Sequence, residues 1–371
     1  MKCGVFLPTT NNGYIYSVNS PQYMPDYALQ KQITQTAEEC GYDFSLSMVK
    51  YRGFGGETDF WNWAVESTAV MAALVEATST IKLWASVGVP SANPAMIART
   101  VSTLDDASGG RFGVNIVGGW NRYEYEQMGM WPSEDYYRDR YACTAEFIEV
   151  MRGLWATGRL TYEGRFYQLD DCIVQPVPAH PITVIVPGQS PASLATAAAT
   201  ADVNFILGPL PELAAARRGL EEQLALTGRD CESAVLIGVI MAETDEEAVA
   251  QARFYMEGVD LGAQAGILAA ASNDRTGTAA GVGLERQRGD VPEIVFEHPE
   301  RAAFLQGSCW YSPVIVGSYQ RIAAYLDAVD TEAGVGSAVL TFADYTTDVR
   351  RFAEKVMPLM VTYEAPVVAV G

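Results

Sequence analysis

Eight short, mostly apolar runs, each followed by a stretch with helical spacing, limit this chain's fold more than any other feature. The runs are Lys2–Leu7, Phe44–Met48, Lys82–Gly88, Phe112–Val117, Thr183–Val186, Val203–Ile206, Ala234–Ala242 and Ala338–Phe342. Helical patterns follow over Tyr27–Cys40, Glu66–Ala77, Pro94–Ser108, Tyr137–Trp155, from about Ala192, over Pro211–Thr227 and Asp245–Met256, and around Val349–Met357. Strands that are apolar on both faces belong to a sheet covered on both sides. Their alternation with helices predicts an α/β fold, a (β/α)8 TIM barrel, formed as one domain over residues 1–371. A doubly wound dinucleotide-binding sheet is the main rival. It needs a glycine-rich first turn, and Pro8–Thr9–Thr10–Asn11–Asn12–Gly13 does not supply one. Three excursions break the rhythm: 118–135, 160–181 (a hairpin with a proline-rich exit) and 268–316. Long excursions of this kind are expected in the carboxyl-end loops that build an active site.

Composition excludes several functions. A formal charge of −20 argues against nucleic-acid or anionic-membrane partners, although a few local donors can still hold a small phosphate. No run reaches membrane-spanning length, and the apolar part of Met1–Pro8 is too short for a signal peptide. Six scattered cysteines with no C-x-x-C pattern read as buried thiols of a cytoplasmic protein. There are two histidines, His180 and His298, and each precedes proline. This argues against a histidine metal site or triad, so the chemistry is expected to come from a cofactor.

One segment points to a ligand. In Phe112–Gly113–Val114–Asn115–Ile116–Val117–Gly118–Gly119–Trp120 an amide interrupts an apolar strand that ends at a glycine pair and an indole. Burying a carboxamide costs free energy unless something pairs with it, and glycines after a strand let backbone approach a ligand. On the barrel reading, Met48–Val49–Lys50 ends the second strand, Ser86 lies near the end of the third, Asn115 is on the fourth, and Gly188–Gln189–Ser190 follows the fifth. Polar groups from four consecutive strands therefore meet at one rim. Gly188–Ser190 opens a helix, where free N–H groups and the helix dipole favour an anion. Each residue also has a plainer reading. Ser190 can be an N-cap, Lys50 and Arg52 rim charges, Glu124 surface charge, and Arg140 with Tyr141 part of a solvated helix face.

The sequence resembles the luciferase-like flavin-dependent monooxygenases, and among them the pyrimidine (uracil) oxygenases. The resemblance is carried by Asn11–Asn12–Gly13, Ser20–Pro25, Leu46–Lys50, Arg52–Gly56, Ser108–Asn115, Gly119–Trp120, Glu124–Gly129, Trp131–Pro132, Asp171–Cys172 and Gly188–Ser190. It implies FMN contacts at Val49, Lys50, Asn115, Glu124, Arg140, Tyr141 and Ser190, with Arg140, Tyr141 and Ser190 at the phosphate end. It also implies an oxygen-handling pocket of Leu46, Met48, Ser86 and Asn115, with Asn115 and Ser86 as donors to developing negative charge. Trp120, Glu124 and Gly118 would border the substrate. The implied reaction uses reduced FMN, from a separate NAD(P)H:flavin reductase, and O2. A flavin peroxide attacks a carbonyl carbon of a cyclic amide or pyrimidine, uracil or thymine in type, with C–N cleavage; no metal is needed. A homodimer or homotetramer is implied as well. Ser86 and Gly118 both stand where the family usually has threonine, which leaves room for another small N-heterocycle or amide. A deazaflavin-dependent dehydrogenase on the same barrel is a further reading.

Overall fold

The computed structural model describes residues 1–274 and 293–365. The strands in chain order are β1 (Lys2–Phe6), β2 (Phe44–Leu46), β3 (Lys82–Gly88), β4 (Phe112–Val117), β5 (Arg159–Glu163), β6 (Gln168–Ile173), β7 (Thr183–Pro187), β8 (Val203–Ile206), β9 (Glu232–Ala242), β10 (Ala303–Gly307), β11 (Trp310–Ser318) and β12 (Ser337–Phe342). A parallel ladder runs β12–β1–β2–β3–β4–β7–β8, and β9 pairs with both β8 and β12. The ring therefore closes at eight parallel strands, with helices between them, as a (β/α)8 barrel.

Side-chain volume fills the ring. Phe44 and Trp84 stack with centroids 4.0 Å apart. Two strand glycines make room for them: a Cβ at Gly4 would lie 2.0 Å from the Phe44 ring, and one at Gly113 2.6 Å from Trp84 Cδ1. The helix Pro94–Ser108 starts at an Asn93 cap whose side chain accepts from the Ala95 N–H at 2.9 Å, and stops at the left-handed Gly109.

Several expected boundaries move. The last helix runs Tyr345–Lys355 rather than around Val349–Met357, because Asp344 caps it. The excursion after β4 contains a short helix, Arg122–Glu126. β5 and β6 form an antiparallel hairpin that follows the helix Tyr136–Thr157 and leads into β7. That hairpin therefore lies on the helix-to-strand side of the barrel rather than among the strand tips. The third excursion is more regular than its sequence suggests, with a helix Leu261–Ala271 and the β10–β11 pair; its part at 275–292 lies outside the described residues. β11 runs parallel to the end of β9 (Val314 to Ser318 against Gly238 to Ala242). The cysteines are free, but only four are buried: Cys40 caps a helix end and Cys172 lies on the β6 hairpin strand, both partly exposed.

Among the described residues no helix is long and apolar enough to cross a membrane. One buried carboxylate makes folding pH-dependent. Burial pushes the pKa of Asp348 up to about 6, partly offset by the Asp344 N–H and by Arg351. The acid is thus held protonated more readily in the folded than in the unfolded chain. Its stabilising contribution is complete below the ordinary carboxylate range and is lost as pH rises through about 6. Asp348→Asn, which resembles the neutral acid, is expected to be more stable than wild type at pH 8 by about 1–3 kcal/mol. The gap should close towards pH 4, read by urea unfolding at both pH values.

Candidate active site

The tips of β2, β3 and β4 bring the first group of residues together. Ser86 and Asn115 are register partners on β3 and β4. The Asn115 Nδ2 donates to Ser86 Oγ at 2.9 Å, and the Ser86 hydroxyl donates to the Ser47 carbonyl at 2.5 Å. Leu46 is buried at the end of β2, with Met48 half-buried just beyond it. Asn115 Oδ1 is buried and has no hydrogen-bond partner among the described residues. Such an atom costs about 1–3 kcal/mol if it stays unpaired, which marks a place for a ligand. One expected role changes here. The Ser86 proton is already given to main chain, so Ser86 does not act as a donor to developing charge.

Lys50 and Glu124 form the second group. Both are buried, and their Nζ–Oε1 contact is 2.5 Å. Glu124 also accepts the Tyr51 N–H at 3.2 Å. Burial lowers the Lys50 pKa, and the adjacent Glu124 carboxylate opposes that shift. The ammonium lies 4.3 Å from the Phe54 ring, 5.2 Å from Trp61 and 5.6 Å from Trp120, so three rings face the cation. Neither residue is a rim or surface charge. Arg52 is exposed, with its guanidinium 5.8 Å from the Tyr123 ring.

Sequence reasoning gives no site role to Phe54, Trp61 or Tyr311. Tyr311, from β11, packs on Trp61 with centroids 4.0 Å apart. Burial raises its phenol pKa, and the negative charge of Glu124 adds to the shift. The loop carrying Phe54 and Trp61 is fastened by Asn11 and Asn12, whose amides donate to the Thr58 carbonyl at 3.2 and 2.9 Å. Trp61 Nε1 donates to the Gly13 carbonyl at 2.6 Å. The Asn11–Asn12–Gly13 segment thus holds the ring cage in place.

The third group lies at the end of β7. Ser190 caps the helix Pro191–Thr200, its Oγ accepting from the Ser193 N–H at 3.3 Å. Gly188 has φ +127°, and a Cβ there would lie 2.8 Å from both Tyr141 Oη and Ser193 Oγ. Only glycine lets the backbone pass this close to Tyr141. Arg140 is buried rather than part of a solvated face; its Nη1 is 3.5 Å from Asp274 Oδ2, and its guanidinium is 5.0 Å from the Tyr141 ring. Gly118 belongs with this group: a Cβ there would meet Thr144 Oγ1 at 3.1 Å and Arg140 at 3.9 Å. A side chain at 118 would therefore meet Thr144 and Arg140. Val49 is half-buried between Met48 and Lys50, and Trp120 is held through its carbonyl by Tyr137 Oη at 3.0 Å.

A cavity of about 330 Å³ opens at the opposite end of the barrel, lined by Lys2, Asp43, Lys82, Asp202 and Glu232. It lies at the strand starts, the end of such barrels that serves stability rather than catalysis.

Comparison with known proteins agrees with the barrel fold. The luciferase-like monooxygenase family profile matches residues 1–336. The chain is 43% identical over 370 residues to the pyrimidine monooxygenase RutA of Bradyrhizobium sp. strain BTAi1, covering 98% of each protein. It is similar in fold to a riboflavin lyase solved with modified FMN and riboflavin, with TM-score 0.79 and 17% identity over 99% of this chain and 94% of the other. It also resembles the long-chain alkane monooxygenase LadA, with TM-score 0.75 and 15% identity over 96% and 90%. The chain belongs to the luciferase-like monooxygenase family, where it groups with the RutA pyrimidine monooxygenases.

Proposed function

We propose that the protein is an FMN-dependent monooxygenase that opens a pyrimidine-like cyclic amide, uracil or thymine in type. The observation that carries this reading is the buried Asn115 Oδ1, which has no hydrogen-bond partner among the described residues, on β4 beside Ser86 of β3. Two features fit FMN in particular. The Asn115 acceptor suits a ring N–H, and the Gly188 turn at the Ser190 cap, beside Tyr141 and Arg140, suits a phosphate. Val49, Lys50, Asn115 and Glu124 would hold the ring system; Arg140, Tyr141 and Ser190 would hold the phosphate. Reduced flavin, supplied by a separate reductase, provides the electrons that activate O2 when bound.

The chain's own residues orient and exclude. Leu46 and Met48 keep water from the oxygen pocket, and Asn115 holds a polar group against the reacting edge. Trp120, Phe54 and Tyr311 offer flat apolar walls to a planar ring, while the Lys50–Glu124 pair supplies the polar edge. The net change is oxygen transfer to a ring carbonyl carbon and opening of the adjacent C–N bond.

The test is to mix the protein, chemically reduced FMN, O2 and uracil, and to follow substrate by mass spectrometry. Oxygen-dependent loss of uracil with gain of an oxygenated, ring-opened product is expected. Turnover of another cyclic amide but not of uracil or thymine would remove the pyrimidine assignment and keep the oxygenase. Hydride transfer from a reduced deazaflavin, with no oxygenated product, would overturn both.

A further inference from the structure

Behind Asn115 lies a run of buried hydroxyls, Ser86, Ser67 and Ser47. Ser67, the first residue of the helix Ser67–Val75, accepts the Ser86 N–H on its Oγ at 2.9 Å. Its Oγ also lies 2.7 Å from Ser47 Oγ. Ser47, Ser67, Ser86 and Asn115 are all buried. Hydrogen-bond direction from the Ser47 carbonyl through Ser86 to Asn115 is determined step by step. A carbonyl can only accept, so the bond between Ser86 Oγ and the Ser47 carbonyl must use the Ser86 proton. Ser86 Oγ is left as an acceptor, so the Asn115 atom facing it must be the amide nitrogen. Asn115 Oδ1 is then turned away from Ser86, where it has no partner among the described residues.

We infer that Ser86 and Ser67 are positioning residues that turn the Asn115 amide so that its oxygen meets the ligand, and that this acceptor selects reduced over oxidised flavin. The inference rests on the flavin reading. Two-electron reduction converts a central nitrogen of the flavin ring from an acceptor into an N–H donor. An amide oxygen fixed towards that atom gains a hydrogen bond with the reduced ring and meets a lone pair on the oxidised one. An amide free to rotate would serve both forms about equally. Ser67 contributes by holding the Ser86 main chain and the Ser47 side chain, and thereby the carbonyl that takes the Ser86 proton. An enzyme that takes up reduced flavin and releases the oxidised form gains from this asymmetry.

The test compares dissociation constants for oxidised FMN and anaerobically reduced FMN in wild type, Ser86→Ala, Ser86→Thr and Ser67→Ala. Wild type should bind the reduced form at least about tenfold more tightly, one hydrogen bond's worth. That ratio corresponds to about 30 mV in the potential of the bound two-electron couple. Ser86→Ala should lose most of the ratio by weakening the reduced form and tightening the oxidised one. Ser86→Thr, which keeps the hydroxyl, should retain it. Should Ser86→Ala not fold, Ser67→Ala replaces it, with an expected loss of about three- to fivefold in the ratio. An unchanged ratio in the folded alanine variants, or equal weakening of both forms, would overturn the inference, since a merely structural role moves both affinities together. If wild type binds neither form, the flavin reading itself fails. If it binds both equally, only the redox selection fails.

Discussion

Replacing Lys50 with methionine is expected to destabilise the fold by about 3–5 kcal/mol, although a flexible lysine on a loop is ordinarily among the most replaceable of residues. The reason is what stays behind. Glu124 is buried, and among the described residues the Lys50 ammonium is the cation paired with it. Methionine would fill much the same space against Phe54, Trp61 and Trp120, so packing loss is small and the cost comes from the stranded carboxylate. The double variant Lys50→Met/Glu124→Gln should recover a large part of the loss, because the neutral amide that replaces the carboxylate can still accept the Tyr51 N–H. Urea unfolding of the two single variants and the double gives the coupling directly. Additive losses would mean that the pair is screened by water and that the ring cage is open in solution.

The same pair shows where reading the sequence runs out. Strand β3, the helix Pro94–Ser108 and strand β4 appear at the residues their sequence predicts. Each is a mostly apolar run or is bounded by a local signal, such as the Asn93 cap or Gly109, and local signals survive folding. Whether Lys50, Glu124 and Arg140 are buried is not a local property. It depends on rings brought from Phe54, Trp61, Trp120 and Tyr311, and on Asp274 reaching Arg140 from the end of a distant helix. In the sequence each charge is equally consistent with a solvated rim.

Two elements leave little trace in the sequence, for related reasons. The helix Leu261–Ala271 consists almost wholly of small and apolar residues, so no polar face marks its period. Without it, and without β11, nothing in the sequence draws attention to Tyr311. Ser47 and Ser67 stay inconspicuous because serine is unremarkable in loops and at helix starts. Their significance comes from lying behind Asn115 in three dimensions. Residue type at the strand tips is legible, but hydrogen-bond direction is not.

Asn115→Ala is expected to have the largest effect on chemistry and only a modest one on folding. The substitution removes the bond to Ser86 Oγ and leaves a buried hydroxyl oxygen without its donor, a loss of about 1–3 kcal/mol in stability. At the proposed reacting edge it removes the polar group that the bond to Ser86 orients. Product formation should fall by at least about tenfold, one hydrogen bond's worth. The phosphate corner at Gly188, Ser190 and Arg140 is untouched, so oxidised FMN should bind within about threefold of wild type, the context scatter of a single interaction. Reduced FMN in the variant should still consume O2, but as hydrogen peroxide rather than ring-opened product. An oxygen electrode run beside product mass spectrometry separates the two fates. Equal falls in oxygen uptake and product would place Asn115 in flavin binding alone. Full coupled turnover would remove it from the site and leave its buried, unpartnered oxygen without a ligand to explain it.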